Sequence, residues 1–169
     1  MFSVGDLVIY ATHGICRIDD ICKKTYAGMT KTYYVMHPID NDRLIINNPT
    51  DNENVVMMGM MNEDEAKEII KTFNEPGVQW VEKNHDRARM YNDIINSGNR
   101  KDIAKVANTL IRKKHMAESI NKKFGDADQK LLTFIQNILY KELAYSLKTT
   151  FEAIEQKVES LVMQNIIEH

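Results

Sequence analysis

Cysteine, proline and tryptophan are scarce here: two, three and one in 169 residues. Cys16 and Cys22 cannot make a disulfide framework, and Cys-x5-Cys is not a zinc spacing. Both read as idle thiols, which fits a reducing cytoplasm. No apolar run approaches the roughly 20 residues of a transmembrane helix. The first residues lack the basic segment and long apolar core of a secretion signal. The five histidines, His13, His37, His85, His115 and His169, are scattered. No His-x3-His, Gly-x-Ser-x-Gly or phosphate loop occurs, so neither an enzyme nor a metal or cofactor site is expected. His13, before Gly14, reads as a turn residue. Repeats and low-complexity tracts are absent. Neither sign of charge dominates: the net charge of −2 gives no global attraction to nucleic acid.

What is present is a globular composition, 43% hydrophobic and 27% charged. Residues 1–60 read as β. Leu7–Tyr10 is a short apolar run, and Gly14 can take the positive φ of a return turn. The chain then alternates from Ile15 to Asp20 and continues as a strand to Tyr26. Ala27-Gly28 marks a turn before Thr30–Met36, which is rich in β-branched and aromatic residues. Arg43–Asn47 is the next expected strand, broken by Asn48-Pro49, and Val55–Met58 the last. Five short, closely spaced strands predict a small barrel or a strongly bent sheet.

From about residue 61 the pattern is helical. Asn62 with Glu65 predicts a capping box opening a helix to about Phe73. Asn74–Gly77 stops it, and a second helix is expected from about Val78 to Asn96, closed by Ser97-Gly98. Asn99 caps a third, with Ile103, Val106, Ala107 and Leu110 on one face. A short piece around Ser119–Phe124 follows. Asp126 with Gln129 caps a fourth, long helix carrying Leu131, Ile135, Ile138, Leu139 and Leu143. Thr149 with Glu152 caps a last, strongly amphipathic one, with Phe151, Ile154, Val158 and Leu161 on one face, which packs on the bundle or on a partner. The expected class is α+β, a β domain at 1–60 and an all-α domain at 61–169.

Charge is uneven along the chain. Residues 1–60, 61–77, 78–123 and 124–169 carry net charges of −2, −3, +6 and −3. A basic segment inside an acidic chain is the footprint of a surface that meets phosphates, although a charged helix face is also the ordinary solvated face. Trp80, the only tryptophan, begins this segment. With Lys83, Arg87 and Arg89 on the turns that follow, it can wedge against a distorted duplex. Alternatively, it plugs the join after Pro76-Gly77.

The opening residues Val4-Gly5-Asp6-Leu7-Val8-Ile9-Tyr10-Ala11-Thr12-His13-Gly14-Ile15 resemble the start of the CarD/CdnL family of bacterial transcription regulators. The resemblance continues through Gly28 and Lys31–Val35, through Leu44–Ile46 into Pro49 and Asn52, then Trp80, Arg87, Tyr91, Ser97-Gly98-Asn99, Ile103-Ala104 and Glu142-Leu143-Ala144. It implies a Tudor-like β-barrel that binds the β subunit of RNA polymerase, with an edge strand added to a sheet of the partner. Family members often carry Arg in the strand before the proline, where this chain has Asn47, so the polymerase contact falls to Lys24, Tyr26, Asn47 and the backbone edge. The resemblance further implies a helical domain at the upstream edge of the melted promoter bubble. There Trp80 enters the minor groove, and Lys83, Arg87, Arg89, Arg112, Lys113 and Lys114 hold the backbone with little sequence information. Preferential binding to the open complex then shifts the melting equilibrium. Trp80 lies about one turn (roughly four residues) further from Ser97-Gly98 than the family pattern, with Asn84 in the nearer slot. The alternative is a polymerase-bound adaptor whose helices bind protein.

Overall fold

A computed structural model describes residues 1–10, 13–54 and 57–168. Ala11 and Thr12 of the opening motif, Val55 and Val56 of the last expected strand, and His169 lie outside the described residues. The chain divides into two compact units, Met1–Met60 and Met61–His169.

The first unit is an antiparallel sheet of β1 (Leu7–Tyr10), β2 (Gly14–Tyr26), β3 (Met29–Pro38), β4 (Ile46–Pro49) and β5 (Met57–Gly59). Its strand order is β4-β3-β2-β1-β5. Gly14 has φ +72° where β2 begins, opposite Tyr10. The inner face carries Val8, Cys16, Ile18, Tyr34, Met36 and Ile46 as the core. Pairing slips by one residue between Ile18 and Asp20. The extra residue, Asp19, turns its carboxylate to His37 Nδ1 at 2.7 Å. This bulge raises the local twist. Of the barrel or strongly bent sheet expected, the described residues show an antiparallel five-stranded sheet that is not closed. Among the described residues no ladder joins β4 to β5, yet Asn48 Nδ2 on β4 lies 3.7 Å from Met57 Sδ on β5.

β4 also begins later than the sequence predicts. Arg43 and Leu44 still belong to the Asn41 turn, Arg43 N donating to Asn41 Oδ1 at 3.2 Å and Leu44 N to Asn41 O at 3.4 Å. The strand then runs through Asn48-Pro49 instead of stopping there. Proline is tolerated because β4 is an edge.

The second unit packs α1 (Glu63–Thr72), α2 (Asn84–Asn96), α3 (Arg100–Ser119), α4 (Asp126–Ile135), a π turn (Gln136–Tyr140), α5 (Lys141–Ser146) and α6 (Phe151–Glu168). The reciprocal bonds of the Asn62–Glu65 capping box are both present, and Asn99 accepts from Asp102 N. Every residue from Val106 to Ile111 is buried, so α3 is the central helix. The single long helix expected after Gly125 carries a π turn that feeds Leu139 and Tyr140 into the core. Gly125, not a side-chain box, caps α4. The α6 cap is Thr150, one residue later than expected, its Oγ1 accepting from Ala153 N at 3.1 Å. The piece expected at 119–124 is the last residue of α3 and a turn.

The largest departure is at residues 78–83, expected as helix and observed as an extended strap. Val78 N donates to Lys105 O at 3.3 Å, and Val78 O accepts from Thr109 Oγ1 at 2.7 Å. Gln79 O accepts from the Tyr91 hydroxyl at 2.9 Å, and Val81 O from Arg87 Nη1 at 2.7 Å. Side chains of α2 and α3 thus satisfy the carbonyls that helical bonds would have used. Gly77 allows this approach. A Cβ there would lie 2.8 Å from Lys105 O and 2.9 Å from Thr109 N, and would overlap Thr109 Oγ1. Gly77→Ala is therefore expected to destabilise this unit by about 1–3 kcal/mol, as overpacking does. Urea unfolding followed through the single tryptophan checks it. A loss under about 0.5 kcal/mol, the range of ordinary surface changes, would mean the strap lifts off α3 at no cost.

Candidate polymerase and nucleic-acid interfaces

In the sheet unit, alternation and register decide which side chains meet. Asn47 on β4 lies opposite Val35, and Pro49 opposite Tyr33. On β2, Cys22 lies opposite Tyr33, Lys24 opposite Lys31 and Tyr26 opposite Met29. All of these share the outer face, since the inner face takes Tyr34, Met36 and Ile46. Lys24 Nζ donates to Asn47 Oδ1 at 2.8 Å. The Tyr26 ring stands edge-on to Tyr33 with centroids 5.4 Å apart. Lys24, Tyr26 and Asn47 are therefore brought onto one face, with Lys31, Tyr33, Val35 and Pro49 between them. The bond from Thr50 N to Thr32 O at 2.9 Å marks those two as a hydrogen-bonded pair. By alternation Asn48 and Ile46 bond inward to β3, which leaves the N–H and C=O of Asn47 on the outer edge. Pro49 has no N–H to offer beside them.

In the helical unit, Trp80 is half-buried and packs against the core. The Arg87 guanidinium carbon lies 4.0 Å from its ring centroid, and Lys113 Nζ 5.0 Å. One portion of the indole is seated against the core, and another reaches solvent beside a lysine. α3 positions the lysine. Lys105, Thr109 and Lys113 follow at i, i+4 and i+8, so the strap runs along this row and meets Lys113 at Trp80.

Arg87 is withdrawn from the phosphate-contacting group. Nε and Nη2 donate to Asp128 Oδ1 and Oδ2 at 2.9 and 2.7 Å, and Nη2 to Asn84 Oδ1 at 2.7 Å. Nη1 donates to Val81 O at 2.7 Å and Glu82 O at 3.3 Å. A guanidinium has five N–H donors, and all are used. Arg112 is half-buried and engaged in part. Its Nε donates to Asn108 Oδ1 at 2.7 Å, and its Nη2 to Asn165 Oδ1 at 2.8 Å and Glu75 O at 3.4 Å. Partial burial without a carboxylate neighbour lowers its pKa from the ordinary arginine value. Arg89 is exposed, with a loose 3.8 Å contact to Asp86. Two residues beyond Arg87, it lies about 200° round the helix from it. Lys83 is exposed at the α2 N-cap, and Lys113 and Lys114 are half-buried. None of these three lysines makes an ion pair among the described residues.

Two domain families match the chain. Residues 2–58 match the CarD-like/TRCF RID domain, and residues 56–159 match the CarD C-terminal domain. The chain belongs to the CarD family. That is a family of RNA-polymerase-interacting transcription regulators. No curated protein matches this member. The part of α6 after residue 159 lies beyond the CarD match.

Several residues that build these surfaces carry no local signal. Asp128 lies 41 positions from Arg87, and Asn108 and Asn165 are buried amides on otherwise apolar helix faces. A polar residue at a core position of an amphipathic helix was the available hint. Cys16 is a free thiol whose burial raises its pKa to about 11, so it is protonated and unreactive near neutrality. No helix among the described residues is long and apolar enough to cross a membrane.

Proposed function

We propose that this CarD-family chain binds the β subunit of RNA polymerase through its sheet unit. Its helical unit then meets promoter DNA at the upstream edge of the melted bubble and prolongs the open complex, in the cytoplasm where transcription proceeds. It makes and breaks no covalent bond. The observation that carries the DNA reading is the half-exposed Trp80 beside Lys113, within the one segment of strong positive charge. The outer face of β2–β4, with the Asn47 edge, Lys24 and Tyr26, carries the polymerase reading.

Open-complex lifetime at a weak promoter, at two salt concentrations, is the test. Trp80→Ala is expected to cut the lifetime gain by about fivefold or more, the equivalent of the roughly 1–3 kcal/mol of one base–aromatic contact. Retention of a β-subunit fragment stays unchanged. Lys24→Glu with Tyr26→Ala does the reverse, losing the fragment. With Arg87 and Arg112 engaged internally, Lys83, Arg89, Lys113 and Lys114 remain for phosphates. These four limit their part of the log–log salt slope for DNA binding to about −4, near −0.9 for each phosphate. Failure of both β fragment and core polymerase to retain the chain would refute the proposal.

The second reading, an adaptor whose helices bind protein, is favoured by one feature. An open groove of about 710 Å³ between α1 and α6 has Ile70, Leu147, Ala153 and Ile154 in its lining and lysines 67, 71 and 157 around them. An open-complex lifetime unaffected by Trp80→Ala would select it.

A further inference from the structure

The CarD match ends at residue 159, but α6 continues to Glu168. On this extra stretch Val162 is buried and Asn165 is 8% exposed. Both ends of the Asn165 amide are used. Its Oδ1 accepts from Arg112 Nη2 at 2.8 Å, and its Nδ2 donates to Asn74 O at 2.8 Å. Arg112 in turn donates to Asn108 Oδ1 at 2.7 Å, and Asn108 Nδ2 donates to Glu75 O at 2.7 Å. Asn165, Arg112 and Asn108 thus hold the carbonyls of Asn74 and Glu75 from two helices. Those carbonyls stand directly before Pro76-Gly77 and the strap that carries Trp80. Apart from Lys83 O, which accepts from Arg87 N where α2 begins, the strap has no helical bonds of its own. Its course is set by side-chain bonds at Val78, Gln79 and Val81 and by this anchor at its entry.

We infer that Asn165 is a positioning residue for Trp80: from the end of α6 it fixes the entry of the strap and draws Arg112 away from solvent into that task. An apolar residue at 165 would take the donor from Asn74 O and leave Arg112 without its α6 partner. The strap would then open locally while the helices stay folded. The consequence for transcription rests on the reading of Trp80 as the DNA contact; the positioning itself does not.

The test uses the full chain and its single tryptophan. Asn165→Leu is expected to keep its helical circular dichroism, while acrylamide quenching of Trp80 rises about twofold as the indole gains solvent access through local opening. Asn165→Asp keeps an acceptor for Arg112 but loses the donor to Asn74, and should give a smaller rise. It also carries the test if the Leu variant fails to fold. Quenching is read well below the unfolding transition, where a general loss of stability does not move it. A folded variant with wild-type quenching in both cases would overturn the inference. Increased quenching with an unchanged open-complex lifetime, matched by an unchanged lifetime in Trp80→Ala, would leave Asn165 as the anchor and refute the DNA reading instead.

Discussion

Arg87→Met lowers the stability of the helical unit by about 3–5 kcal/mol, the loss expected when one partner of a buried ion pair is removed and the other stays charged. The side chains of Arg87 and Asp128 are 6% and 13% exposed, so water can replace little of what is lost. Asp128 would lose two donors at once, and the Val81, Glu82 and Asn84 oxygens a third set. Trp80 would also lose the cation 4.0 Å from its ring, an interaction worth about 0.5–2 kcal/mol by itself. Asp128→Asn keeps one acceptor and should cost less. Arg87→Met combined with Asp128→Leu should cost less than the two single changes added together, because neither charge is then left alone. Urea unfolding followed by helical circular dichroism gives the stabilities, and Trp80 emission reports the second effect. A loss within the roughly 0–1 kcal/mol of an exposed pair would show that Arg87 is not the pedestal of Trp80.

The predicted family role of Arg87 as a phosphate contact and its observed role under Trp80 illustrate how far a sequence reaches. Signals confined to a few neighbouring residues were legible. The Asn62–Glu65 box, the Asn99 cap and the glycine at the first hairpin each need only a turn of chain. The strap at 78–83 was not, because its sequence is compatible with helix and its extended form is held by Thr109, Tyr91 and Arg87 from other elements. Non-local side-chain bonds outweighed local propensity there. The same holds for the site. Trp80 and the basic segment stood out by composition, but which cations are free depended on Asp128 and Asn165, both distant in sequence. On the sheet, the family resemblance named Lys24, Tyr26 and Asn47 together, whereas their sharing one outer face follows from the registers of β2 and β4 against β3. β4 had been expected three residues too early.

Glu142→Ala should also destabilise the helical unit by about 3–5 kcal/mol, through a different joint. Glu142 lies on α5 and is 2% exposed. Arg100 Nε and Nη2 donate to its two oxygens at 2.7 Å each, and Met61 N donates to Oε2 at 3.0 Å. Ser146, one turn further on, donates its hydroxyl to Met61 O at 2.8 Å. Both backbone groups of Met61 are thus held by α5, at the residue where the chain enters the unit, and the first turn of α3 is tied to the same carboxylate. Removing it leaves Arg100 at the rim of the core without this partner and a buried N–H without an acceptor. Glu142→Gln keeps the shape and one acceptor oxygen and should lose less than the Ala variant. Arg100→Met with Glu142→Leu should recover part of the loss by removing both charges. Hydrogen exchange separates this joint from a general weakening: the Met61 amide should lose protection in Glu142→Gln while the α6 amides keep theirs. Equal loss along α1 and α6, or a stability change under about 1 kcal/mol, the value of an exposed pair, would mean that Glu142 merely fills space.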